Sequence, residues 1–316
     1  MSPLDVVELD DPLPGPGEIA LAVSACGVCR TDLQIVSGDL AARILPIVPG
    51  HQVVGRIVAV GDGVSGGAVG DRAGVGWVAA TCGRCRFCSS GRENLCADAT
   101  FTGWDRHGGF ATSMTAAADF ALPLPVGPTD VELAPLLCGG VIGYRALKVS
   151  GITPGGRLGL FGFGASALLA IQVAAHWGCD VYVVTRSETE RKRALEMGAL
   201  WAGSYDDAVP APLAAAITFA PVGDVVVAAL SALDRGGIVA INAIHLDGIP
   251  AFDYDRLWLE RQIRSVANFT RADATEFLRL AAEIPISVVV DEYPLEATPE
   301  ALGAIEDGTV AGAAVL

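Results

Sequence analysis

The chain has 316 residues, 52% of them in the apolar class, 18% charged and 6% aromatic. That composition excludes a disordered chain and suffices for about two domains with full cores. Its 21 Lys and Arg against 36 Asp and Glu give a formal charge of −15, a field that repels phosphate backbones and anionic lipid. Nucleic acid and membrane are therefore not expected as partners, and a small-molecule ligand is. Met1 is followed by Ser2, Pro3 and Asp5 rather than by a basic stretch leading into an apolar one, so the chain reads as cytoplasmic, without a secretory leader.

From Ile19 to Val23 and from Val53 to Val60, short β-branched runs alternate with Gly and Pro, the pattern of an antiparallel, turn-rich β domain. Beyond about Gly139 strands alternate with helices, which implies a parallel sheet with crossovers. Strands are expected at Arg157 to Phe161, Val181 to Thr185, near Trp201, at Asp224 to Ala228, Gly237 to Asn242 and Ile263 to Asn268. Six suffice for a doubly wound sheet. Leu158 to Cys179 is free of formal charge and as long as a bilayer span, but Gly159, Gly162, Gly164, Gln172, His176 and Gly178 divide it into a strand, a turn and a helix. Ser187 and Glu190 form a capping box for the next helix, which Gly198 ends. A helix from Thr270 to about Glu283 and a strand from Ser287 to Val290 complete the pattern.

Cys82, Cys85, Cys88 and Cys96 place four thiols within 15 residues. A disulfide framework belongs to small secreted chains, whereas clustered Cys in a cytosolic protein more often bind metal. Four thiolates match tetrahedral zinc and leave no open position, which makes the site structural; disulfides or an iron–sulfur cluster are the competing readings. Arg84, Arg86 and Arg92 fall in the loop, where they are expected to offset its charge and donate to sulfur. Gly162-Phe-Gly164-Ala-Ser-Ala167 follows a strand and opens a helix. Gly162 allows the tight turn, Gly164 lets backbone approach a pyrophosphate, and Ala167 takes the third small position.

The cysteine loop sits among further motifs: Cys26-Gly-Val-Cys29-Arg-Thr-Asp, Gly50-His51, Gly70-Asp71-Arg72, Gly91-Arg92-Glu93-Asn94-Leu95-Cys96, Gly108-Gly109-Phe110, Leu-Leu-Cys138-Gly-Gly and Tyr144-Arg145-Ala146-Leu147. In this order they resemble the zinc-dependent medium-chain alcohol dehydrogenases nearly end to end. The resemblance implies an α/β protein with a GroES-like antiparallel catalytic domain over 1–139, a Rossmann cofactor domain over 140–268 and a return to the catalytic domain over 269–316. It also implies that Cys29, His51 and Cys138 ligate a catalytic zinc, making two zinc ions per chain, and that the chain assembles as a homodimer or homotetramer. Singly, Cys138 would read as a small buried hydrophobe and His51 as a turn residue.

The implied reaction moves hydride between a nicotinamide and an alcohol or aldehyde, with zinc polarising the oxygen. Asp32 is expected to fix the His51 tautomer, or merely to cap a helix. Thr31 occupies the family's proton-relay position. Gln34 replaces the His that ends the relay in many members, and Gln52 replaces a common Glu after the His ligand. Thr185-Arg186-Ser187 places no carboxylate at the end of the second strand, and Arg186, Arg191, Lys192 and Arg193 cluster there, so NADP(H) is favoured over NAD(H). The competing reading pairs Arg191 to Arg193 with Glu188 and Glu190 on a solvated face. Trp104 is expected on a wall of the substrate pocket, or in the core. A zinc-independent reductase of activated double bonds and a non-catalytic protein retaining only the loop zinc are the alternative functions.

Overall fold

A computed structural model describes residues 4–284 and 286–316; the start at Met1, Ser2 and Pro3, on which the missing leader pattern was read, lies outside the described residues. The chain divides into two compact units, Met1–Val141 with Asn268–Leu316, and Ile142–Ala267.

The first unit is organised by β1 (Glu18–Val28), whose Ile19, Ala20 and Leu21 are buried. Helix α1 (Arg30–Ser37) follows at once and ends at Gly38, whose φ of +87° suits a residue without Cβ. Strands β2 (Val53–Val60) and β3 (Arg72–Val75) continue the sheet. Strands β4 (Val78–Ala80) and β5 (Thr100–Phe101) flank the cysteine loop as a separate pair. Strands β6 (Ser113–Ala117) and β7 (Ala121–Pro123) and the short helix α2 (Asp130–Leu133) precede α3 (Gly139–Ser150), within which the chain leaves this unit.

The second unit alternates strand and helix: β8 (Arg157–Phe161), α4 (Ala165–His176), β9 (Asp180–Val184), α5 (Glu188–Glu196), β10 (Trp201–Gly203), β11 (Leu213–Thr218), α6 (Gly223–Ser231), β12 (Leu233–Ile241) and β13 (Gln262–Ser265). All pairings are parallel, in the order β10-β9-β8-β11-β12-β13. The order reverses between β8 and β11, the topological switch point at which such sheets bind ligands. The expected strand at Asp224 to Ala228 is instead part of α6, and the strand is β11. Val225, Val226, Ala229 and Leu230 are buried at helical spacing on one face, and a parallel sheet needs a crossover between β11 and β12.

The chain returns to the first unit at Asn268, and α7 (Arg271–Glu283), β14 (Val290–Glu292), α8 (Thr298–Asp307) and β15 (Ala313–Val315) follow. The strand expected at Ser287 to Val290 is β14, which begins at Val290. It pairs with β15, which in turn pairs with the end of β1 through Gly27 and Val28. The seven-stranded sheet therefore runs β14-β15-β1-β2-β3-β7, with β6 also on β1, and the chain's end braces the segment that leads into Cys29. No helix among the described residues is long and apolar enough to cross a membrane.

Candidate metal centres and dinucleotide site

Cys29 is the N-cap of α1, and its sulfur accepts the Thr31 N–H at 3.3 Å. Three residues on, Asp32 reaches back to accept the Cys29 N–H at 2.9 Å. The capping box that starts the helix therefore orients a sulfur and a carboxylate together. Asp32 is fully buried, and its other oxygen accepts from Gly50 N at 3.1 Å and His51 Nδ1 at 2.9 Å. It caps the helix and is in place to set the His51 tautomer. With Nδ1 carrying the proton, Nε2 faces Cys29 Sγ at 3.4 Å.

Cys138 joins from the start of α3, and the ligand atoms of Cys29, His51 and Cys138 all lie within 4.8 Å of one another. Tetrahedral zinc at ordinary bond lengths spaces a thiolate sulfur about 3.6 Å from an imidazole nitrogen. The set fits, with a fourth position open. A hydrogen bond from Cys138 holds the Cys29 thiol well below its usual range, helped by His51. Cys138 is pushed well up by that bond to Cys29 and by burial. Burial alone would lower His51, but the charges of Asp32 and Cys29 raise it well above the ordinary imidazole value. This is an anionic environment into which a dication fits.

The four-cysteine loop shows the same match. Cys82 Sγ lies 3.5 Å from Cys96 and 4.0 Å from Cys88, and Cys85 lies 3.6 Å from Cys88, near the spacing of about 3.8 Å for tetrahedral sulfurs around zinc. Among the described residues none of the three guanidinium groups donates to sulfur. Arg86 and Arg92 lie over the Phe87 ring at 4.6 and 5.4 Å, and Arg92 donates to Ser90. Backbone N–H groups of Arg84 and Cys85 donate to Cys82 and lower it to about 7. In a tight loop, backbone amides reach sulfur with less ordering cost than long side chains.

Trp77, which sequence reasoning passed over, shapes the first centre together with residues that the motifs had named. Trp77 sets its ring edge-on to His51 at 4.9 Å and stacks on Phe101 at 5.0 Å and on Trp104 at 5.9 Å. Trp104 is thus linked to the metal ligand through Trp77. Its indole N–H donates to Ala41 O, and Arg43 lies 3.8 Å over its ring. Gly108, Gly109 and Phe110 clamp the His51 turn by donating to Val48, Gly50 and Pro49. A Cβ at Gly108 would lie 2.0 Å from Gly50 O, so the glycine pair is the signal that backbone approaches backbone there. Gln52 is buried with its side-chain amide against Gly27.

In the second unit Gly162 adopts φ +91° and its N–H donates to Val184 O at 2.8 Å. Gly164 is the N-cap of α4 without any side-chain cap, and a Cβ built on it meets nothing within 4 Å. Open space faces an uncapped helix N-terminus, which fits a pyrophosphate. Ala167 is fully buried in the first turn and keeps that helix close to the sheet. At the tip of β9, Ser187 Oγ accepts from Glu190 N at 3.3 Å, but the capping box is only half made. The Glu190 carboxylate accepts instead from the Thr185 hydroxyl. The expectation of no carboxylate at this tip is thereby corrected: it comes from the helix, five residues on.

The pattern of alcohol dehydrogenase GroES-like domains matches residues 15–126, and that of zinc-binding dehydrogenases matches 165–283. A probable alcohol dehydrogenase, AdhA, of Mycobacterium tuberculosis is 51% identical over 99% of this chain and 92% of its own length. A cinnamyl alcohol dehydrogenase of Sorghum bicolor superposes with a TM-score of 0.89 at 26% identity, covering 97% of this chain and 92% of that one. A zinc-binding dehydrogenase of Sinorhizobium meliloti 1021, bound to NADP, gives a TM-score of 0.88 at 25% identity, covering 97% and 94%. The chain belongs to the zinc-containing medium-chain alcohol dehydrogenase family, as an NAD(P)-dependent alcohol dehydrogenase or aldehyde reductase built of a GroES-like and a Rossmann domain.

Proposed function

We propose that this enzyme interconverts primary aliphatic or aromatic alcohols with their aldehydes, and ketones with their alcohols, using NADP(H) in preference to NAD(H). The observation that carries the reading is the cluster of Cys29, His51 and Cys138, whose ligand atoms lie within 4.8 Å with Asp32 behind the imidazole. Zinc held by these three residues supplies Lewis acidity to the substrate oxygen. The presence of all three ligands argues against a zinc-independent double-bond reductase, and zinc occupancy at this set separates the enzyme from a non-catalytic protein.

Asp32 keeps His51 in the tautomer whose Nε2 lone pair serves as a ligand, and Thr31, on the first turn beside Cys29, takes up the substrate hydroxyl proton at Oγ1. Gln34 carries an amide, which is neither an acid nor a base near neutral pH, so the proton leaves Thr31 through water. Trp104 and Trp77 present the aromatic side of the pocket. Gly162, Gly164 and Ala167 seat the pyrophosphate, with Thr185, Arg186 and Ser187 at the adenosine end. Arg186 supports the NADP preference, because its guanidinium is exposed and makes no hydrogen bond or ion pair among the described residues. Cys82, Cys85, Cys88 and Cys96 hold the structural zinc, and the active form is a homodimer or homotetramer.

Elemental analysis with steady-state kinetics tests this reading. Wild-type protein should carry two zinc ions per chain, and Cys138→Ser should keep one and lose NADPH-dependent aldehyde reduction. Thr31→Ala should keep both and lose about 10²–10⁴-fold in turnover, the range of a proton-transfer group. Unchanged turnover in Cys138→Ser would overturn the assignment.

A further inference from the structure

We propose that Glu190 is a specificity residue that discriminates against a 2′-phosphate on the adenosine ribose, opposing Arg186 at the same strand tip. The inference rests on the reading that a nicotinamide dinucleotide binds at the Gly162 turn.

Sheet order places the tip of β9 beside the tips of β8 and β10, with Thr185 N–H bonded to Gly203 O at 2.9 Å. In doubly wound sheets an acid at this tip, about 20 residues after the glycines, accepts the ribose hydroxyls. Here the tip residue is Thr185, buried and unable to carry charge. Its hydroxyl donates to the Glu190 carboxylate, and the α5 N-cap leaves that carboxylate free to turn this way, because Ser187 Oγ accepts from Glu190 N without a return bond. An acid thus stands at the expected place, delivered from the helix.

The basic residues around it divide by what they already hold. Arg191 Nη1 donates to the carbonyls of Thr185 and Arg186, each at 2.9 Å, and so fastens the loop. Lys192 pairs with Glu188 at 3.0 Å on the exposed helix face. Arg186 is exposed, and its guanidinium makes no hydrogen bond or ion pair among the described residues. Tyr205, two residues past β10, faces both signs: burial raises its phenol, Arg186 lowers it and Glu190 raises it. The tip therefore offers one anion and one cation to whatever occupies the 2′ position. A 2′-hydroxyl can donate to Glu190, whereas a 2′-phosphate pairs with Arg186 and is repelled by Glu190.

Equilibrium titration of NADPH and NADH into the protein, followed by nicotinamide fluorescence, separates the two groups without turnover. Glu190→Gln should raise the ratio of NADPH to NADH affinity by about tenfold or more, the scale of a charged hydrogen bond. Arg186→Ser should lower it. Should Glu190→Gln fail to fold, Glu190→Ala carries the same expectation, since Ala is at home in a helix. Both nucleotides binding with the ratio unchanged in the Glu190 variants would overturn the role of Glu190 and leave the dinucleotide reading standing. Binding of neither nucleotide by the wild type would overturn both.

Discussion

Asp32 meets three donors with two oxygens: Cys29 N–H, Gly50 N–H and His51 Nδ1–H, all inside a fully buried site. Asn in its place offers one acceptor oxygen and an amide that donates, so at least one of those donors faces another donor. Asp32→Asn should therefore weaken zinc at the Cys29 centre about 10–100-fold, read by competition with a chromophoric chelator, while the four-cysteine loop keeps its metal. The thiols of that loop titrate differently. Cys82 is lowered to about 7 by backbone N–H groups, whereas Cys96, against the pull of backbone N–H groups, is raised to about 11 by burial and by hydrogen bonds to the Cys82 and Cys88 thiols. Metal ligation needs thiolates, so zinc uptake expels whatever protons remain. Below the Cys82 value that thiol still carries its proton, and above it does not. Proton release per zinc, followed with an indicator dye, should accordingly fall as the pH rises through about 7.

At the scale of elements, the two glycines of the cofactor turn have separable functions. Gly162 sits at φ +91° with Ala220 N 3.1 Å from any added Cβ, so Gly162→Ala should cost about 1–2 kcal/mol in thermal or denaturant unfolding. Gly164 has ordinary dihedrals and open space before it; Gly164→Val should leave stability near wild type and weaken dinucleotide binding. This turn was legible in the sequence because its chemistry dictates residue type and spacing together. The cysteine loop was legible for the same reason. Strand β11 was not: Leu-Ala-Ala-Ala-Ile-Thr carries few β-branched residues, and it is a strand because β8 and β12 pair with it on both sides. The valines of α6 suggested a strand by propensity and became a helix by topology. Among the candidate residues, Cys29, His51, Cys138 and Asp32 could be read from motif order. Trp77 and Glu190 could not, since a ring stacking and a side chain turning away from its cap are decided by neighbours distant in sequence.

For the whole molecule, the four-cysteine loop reaches beyond its own metal. Glu93, buried within the loop, accepts the Arg271 N–H at 2.9 Å, a contact spanning 178 residues of sequence. Arg271 also donates to Asp119 O and lies 4.8 Å over Phe120, while Phe269, two residues earlier, packs against Gly76 beside Trp77. Fixing the loop therefore fixes the point at which the chain returns to the first unit and, through Gly76, the backbone that carries Trp77 to His51. Loss of the loop metal frees Glu93 and leaves a buried carboxylate without its partners, a change on the order of 3 kcal/mol. For a unit of this size, that corresponds to a melting temperature lower by about 6–12 °C. Cys88→Ser should show this drop, with hydrogen exchange accelerated over residues 82–96, the start of α7 and the Gly76–Trp77 backbone, and little change over 142–267. Uniform acceleration across both units would mean that the loop metal supports the whole chain rather than the return of one segment.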